Sequence, residues 1–118
     1  MDIEIKDIKT VEDGLHEGVI KNIEYREQPY SYTDIYAETL SKDGTPIMLK
    51  CGFPTIVSRV SSLGKLLIKF GAILSIGQKI NPETILIGKN CSFQVTTEST
   101  PKGDFSNIIR DTLKPSDS

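Results

Sequence analysis

The sequence predicts an all-β fold with one helix, a five-stranded Greek-key barrel in which the helix lies between the third and fourth strands. Three observations lead there. The apolar residues repeat every second position in the first half, switch to a spacing of three and four in the middle, and return to alternation near the end. Glycine, proline and aspartate punctuate the alternating stretches at turn positions. The length, 118 residues, suits one domain with a single modest core and no need of metals or disulfides.

The first strand is expected over residues 14 to 27, "GLHEGVIKNIEYRE", anchored by Val19, Ile20 and Ile23. Val19 and Ile23 share one parity and Ile20 has the other, so a bulge near Lys21 is needed to turn all three inward. "QPYSY" is a turn marked by Pro29. From Tyr32 a second strand sets Ile35, Ala37 and Thr39 inward and Tyr32, Asp34, Tyr36 and Glu38 outward. Asp43-Gly44 makes a hairpin turn, and "IMLKCGF" returns with Ile47, Leu49, Cys51 and Phe53 on one face. Met48 and Lys50 then project outward beside the tyrosines.

Residues 55 to 70, "TIVSRVSSLGKLLIKF", carry Ile56, Val60, Leu63, Leu67 and Phe70 at helical spacing, with Ser61 or Ser62 as cap and Gly71 as stop. A linker follows, in which Asn81-Pro82-Glu83 starts one more short helical turn. "KNCSFQVTTE" alternates Cys91, Phe93, Val95 and Thr97 against Ser92, Gln94 and Thr96, and after the turn "STPKGD" the segment "FSNIIRDTL" closes the pattern. The predicted boundaries are a lead segment over 1 to 13, the barrel over 14 to 111 and a flexible tail over 112 to 118. Three strands, a helix and two strands is the element order of the OB-fold.

Composition narrows function by exclusion. Net charge is −2, but residues 1 to 43 hold 11 acids against 5 bases, a balance of −6, while the rest hold 5 acids against 9 bases, a balance of +4. An anion-binding surface must therefore draw on the second half, from Lys50, Arg59, Lys65, Lys69, Lys79, Lys89, Lys102, Arg110 and Lys114. The bland alternative is that these are solvated charges. The two cysteines, Cys51 and Cys91, are far apart, and no charged-then-apolar leader precedes them, so a reducing, cytoplasmic setting is expected. The run "LGKLLIKFGAILSI" is interrupted by Lys65 and Lys69 and falls short of the ~20 residues a membrane span needs.

Catalytic signatures are missing. His16 is the only histidine and has no nucleophile arranged beside it. Gly64-Lys65-Leu66 and Gly88-Lys89-Asn90 lack the Ser or Thr of a phosphate loop, and Arg59 and Glu83 stand where its first glycine belongs. Cys51, Cys91 and His16 lack zinc spacing. Asn90-Cys91-Ser92 fits the glycosylation sequon, a match expected to be accidental. No enzyme, metal or cofactor is expected.

"SSLGKLLIKFGA", then "LIGKNCSFQVTTE", then "GDFSNIIRDTLKP" resemble the second half of phage-type OB-fold proteins that bind single-stranded DNA. The matching residues are Ser62, Leu63, Lys65, Leu66, Leu67 and Gly71 in the helix, Gly88 and Lys89 in the turn, and Phe105, Asn107 and Ile109 at the end. "GLHEGVIKNIEY" is similar to that family's first strand, and the resemblance covers most of residues 8 to 115. It implies non-catalytic, sequence-tolerant binding of single-stranded DNA in phage-like or mobile-element replication or recombination. In such folds bases stack on aromatics of strands two and three while cations track the backbone. The candidate nucleic-acid residues are Tyr32, Tyr36, Met48, Lys50, Arg59, Lys89, Lys102 and Arg110. Against the platform, Asp34 and Glu38 share the outward row and repel phosphate, and strands favour tyrosine whatever the ligand. Tyr25 is read as half-buried core, Tyr30 as a turn residue, Phe53 and Phe93 as core, and Phe105 as core or groove rim. The alternative is an OB-type protein-interaction module, whose tyrosine-rich hairpin or sheet edge engages a basic partner, replication or recombination proteins, or a second copy of the chain. An unrelated small β domain is the third reading.

Overall fold

The computed structural model describes residues 11 to 41 and 44 to 116. Its elements run β1 (Gly14–Arg26), β2 (Tyr32–Leu40), β3 (Pro46–Pro54), α1 (Ser62–Lys69), α2 (Pro82–Leu86), β4 (Asn90–Thr100), β5 (Gly103–Ile108), a 3-10 turn (Arg110–Thr112) and β6 (Lys114–Pro115). The strands form one antiparallel sheet in the order β3-β2-β1-β4-β5, with β6 added to β4. Among the described residues no helix is long and apolar enough to cross a membrane.

β1 is shared between two ladders. Gly14 to Val19 pair with Val95 to Asn90 of β4, and Val19 to Arg26 pair with Glu38 to Tyr32 of β2. The register slips between Ile20 and Asn22, which places the expected bulge at Lys21. The extra residue lets consecutive anchors both turn inward: Ile20 and Ile23 are buried, and Val19 is half-buried. Gly18 sits where the strand passes from one partner to the other, and a Cβ there would lie 2.4 Å from the Glu38 carbonyl oxygen. Only glycine permits that approach.

The inward rows form one core, in which Ile35, Ala37, Leu49, Cys51, Phe53, Cys91, Phe93 and Val95 meet Leu63, Leu66 and Leu67 of α1 and Leu86 of α2. α1 is shorter than the spacing of residues 55 to 70 predicts. Ile56 and Val60 lie outside it, exposed rather than in the core. Side-chain hydroxyls take over the backbone groups there: Ser58 Oγ accepts from the N–H groups of Val60 and Ser61, and Ser61 Oγ accepts from those of Ser58 and Gly64. Serines that satisfy the backbone locally compete with a helix and cap the next one. Gly71 ends the segment at φ +99, and Asn81 Oδ1 caps α2 through the Glu83 N–H at 3.0 Å.

The predicted barrel of five strands is corrected in two respects. β3 and β5 lie against one another, yet no ladder joins them among the described residues, so the sheet curves without closing. The last strand also stops at Ile108 instead of running to Leu113. Thr112 Oγ1 donates to the Ile109 carbonyl at 2.6 Å and accepts from the Gln94 N–H at 2.8 Å, folding the chain into the 3-10 turn. Arg110 then lies over the Phe53 ring at 5.7 Å, beside the end of β3. Where a flexible tail is expected from residue 112, Leu113 is buried and Lys114 and Pro115 pair with Ser92 and Cys91. In the lead segment Val11 is buried and its N–H donates to Ser106 Oγ at 3.0 Å. Residues 1 to 10, Asp43 of the hairpin turn and the last two residues of the tail lie outside the described residues.

Cys51 and Cys91 are free thiols inside the core. Burial pushes Cys51 up to about 12 and Cys91 to about 11, against an ordinary value of 9.0. A folded-state value above the unfolded one gives stability that is fully present below pH 9.0 and is lost as pH rises toward 11 to 12. At pH 8 both thiols are therefore expected to resist iodoacetamide in the native protein and to react fully in urea. Rapid native labelling, followed by mass spectrometry, would place them outside the core.

Candidate nucleic-acid interface

The face of the β1-β2-β3 meander turned away from the core carries the candidate site. Register alone assembles it: Asn22, Tyr36 and Lys50 form one cross-strand row, Glu24, Asp34 and Gly52 the next, and Arg26, Tyr32 and Pro54 the third. Tyr32 and Tyr36 thus stand on the solvent side, half-buried, with exposed Met48 and Lys50 on the neighbouring strand.

The centre of this face is Asp34, which lies in the outward row as expected but is covered, and so is not the phosphate-repelling carboxylate expected there. Asp34 is only 1% exposed. Arg26 clasps it with two hydrogen bonds, Nε to Oδ2 at 2.6 Å and a terminal nitrogen to Oδ1 at 3.1 Å. This forked geometry matches a guanidinium to a carboxylate. The same guanidinium lies over the Tyr32 ring, 5.2 Å from its centroid. Arg26 thereby neutralises the Asp34 charge and extends the aromatic surface at once, while Asp34's hydrogen bonds hold Arg26 above its ordinary value.

Gly52 leaves room for this arrangement. A Cβ there would meet Asp34 Oδ1 at 3.0 Å and the Tyr32 ring at 3.2 Å. Tyr36 donates its hydroxyl to Glu24 at 3.2 Å. Partial burial first, then the Glu24 hydrogen bond and charge, raise its phenol above the usual value. The Tyr36 hydroxyl is thus tied to β1 from the neighbouring strand.

The other four candidates lie elsewhere. Arg59 sits in the loop after β3 and donates to the Leu74 carbonyl at 3.3 and 3.2 Å. Lys89 precedes β4, where its carbonyl accepts from the Ile20 N–H at 3.0 Å. Lys102 is in the β4–β5 turn, and Arg110 covers Phe53 on the edge between β3 and β5. Lys65, Lys69 and Arg110 share a second cleft of about 400 Å³ with Asp111. Tyr25, expected as half-buried core, is 50% exposed at the end of β1, where partial burial first and then the nearby Glu83 carboxylate raise its phenol above the ordinary value. Phe105, left between core and rim, is 41% exposed on β5.

Sequence reasoning missed Arg26, Glu24 and Gly52. The available signal was the hairpin register, which sets Arg26 diagonally across from Asp34. His16 donates from Nε2 to the Glu12 carbonyl and stacks near Phe93, 6.4 Å between centroids. Among the described residues no cluster of His, Cys, Asp and Glu is arranged to hold a metal ion. No protein-family model matches the chain, and no curated protein matches it in sequence.

Proposed function

We propose that this chain is a non-catalytic OB-type protein that binds single-stranded DNA in phage-like replication or recombination, using the outer face of its first three strands. Three features of the sheet support the Greek-key barrel reading. β1 serves both β2 and β4, the helices fall between β3 and β4, and β3 lies against β5. The single observation that carries the function is the stacking surface made by Tyr36, Tyr32 and the Arg26 plane, beside Lys50. Bases stack on such faces without regard to sequence, because every base is flat. Pairing of Asp34 with Arg26 removes one of the carboxylates that would oppose a phosphate there, leaving Glu24 and Glu38 on the face. Lys50 supplies the local positive charge, and Lys65, Lys69 and Arg110 flank the far edge of β3 for the continuing backbone.

Titration of a fluorescent oligo(dT) tests this. Each stacked base contributes on the order of 1–3 kcal/mol, so Tyr36→Ala and Tyr32→Ala are each expected to weaken binding roughly 5- to 150-fold. Lys50→Ala is expected to weaken it less and to flatten the salt dependence by about one phosphate. Absence of binding at low salt, or binding indifferent to all three substitutions, rejects the reading.

A further inference from the structure

Two surfaces at one end of the molecule complement each other. The first is a groove of about 470 Å³ between the loop after β3 and the segment before α2, lined by Val57, Val60, Leu74, Ile76 and Ile80 with Arg59 on its wall. Val60 is 81% exposed and Ile76 wholly so. Apolar side chains gathered this way in water mark a binding surface. Among the described residues Arg59 is the one charged residue in the groove's lining, and Lys79 is next in sequence to Ile80. The complementary occupant is therefore apolar and acidic.

The second surface is the end of the β1–β2 hairpin. Tyr30 is 74% and Tyr25 50% exposed there, flanked in sequence by Glu24 and Glu27. Both surfaces belong to the same end of the sheet. The Thr55 N–H donates to the Ser31 carbonyl at 3.0 Å, tying the groove loop to the hairpin turn, and Glu83 lies just beyond Ile80. The hairpin nevertheless contributes no residue to the groove lining.

We infer that the groove receives the hairpin tip of a second copy of this chain, in a two-fold dimer where each protomer gives its tyrosine tip and accepts its partner's. A two-fold axis makes the exchange reciprocal, so one acidic apolar tip and one basic apolar groove per chain yield two identical contacts. Tyr30 fills the apolar floor against Ile76, and Glu27 faces Arg59. Buried tyrosine anchors paired with a charge of opposite sign are the composition that carries interface energy.

Sedimentation velocity on the full chain without DNA tests the inference, which makes it independent of the proposed nucleic-acid function. The wild type is expected to reach twice its chain mass of 13.1 kDa below about 100 µM. Ile76→Glu and Tyr30→Lys change exposed positions, so both variants are expected to keep the native circular dichroism spectrum. Each is expected to raise the dimer dissociation constant at least about tenfold. Mixing the two restores one intact tip and one intact groove, and a heterodimer is expected to form where neither variant alone associates. A wild type that stays monomeric, a dimer that survives both substitutions, or a mixture that remains monomeric overturns the inference.

Discussion

Phe93→Ala is expected to lower stability by about 3–5 kcal/mol, seen as a fall in the urea midpoint with little change in the slope of the transition. Phe93 is wholly buried. It lies opposite His16 in the β1–β4 ladder, and its ring reaches to within 3.4 Å of where a Gly18 Cβ would stand. It therefore fills the point where β1 leaves β4 for β2. Strands on both sides are pinned by their own ladders and cannot collapse into the space, so the cavity persists and its full cost is felt. A loss below about 1 kcal/mol would show that the ring lies outside the core.

Gly64→Ala is the second large effect. A Cβ at this position would lie 1.7 Å from the Ser58 carbonyl oxygen and 2.8 Å from Ser61 Oγ. Alanine ordinarily favours a helix over glycine by about 1 kcal/mol. Here the sign reverses, because the obstacle is backbone and cannot rotate away. Relief requires the Ser58–Ser61 turn to unwind or α1 to slide off the sheet, and an overpacked site of this kind costs about 1–3 kcal/mol or more. The Ser61→Ala variant separates the causes: it removes the cap and the Ser61 side-chain bonds to Ser58 without setting a Cβ against the Ser58 carbonyl, for about 0.5–2 kcal/mol. An alanine at 64 that proves neutral or stabilising would mean that the serine turn does not approach the helix so closely.

The strands were legible because one face is buried and the other is not. In β2 the alternation of Ile35, Ala37 and Thr39 sets the register, and the parity break between Ile20 and Ile23 places the bulge. The middle of the chain was less legible. Val60 has helical spacing relative to Leu63 and Leu67, but periodicity does not register that Ser58 and Ser61 offer the backbone another set of partners. The tail misled for a related reason: its burial depends on one residue, Leu113, and on pairing with a strand more than twenty residues earlier. At the site, alternation placed Tyr32 and Tyr36 on the outer face, yet Asp34 in the same row is buried because its partner comes from another strand. Outward does not mean exposed when an arginine from a neighbouring strand lies on top. The scattered cations, Arg59, Lys89, Lys102 and Arg110, had no such row to join them, since charge counts carry no spatial information.

The division of β1 between two partners bears on how the chain is made. During synthesis, β2 and β3 emerge soon after β1 and pair with it locally, whereas Asn90 to Val95 become available only after two helices have left the ribosome. Until then the nascent meander carries an unclaimed edge from Gly14 to Val19. Glu12 and Asp13 just before that edge, Glu17 within it and Lys21 just past it are charges of the kind that discourage pairing between neighbouring polysomal chains.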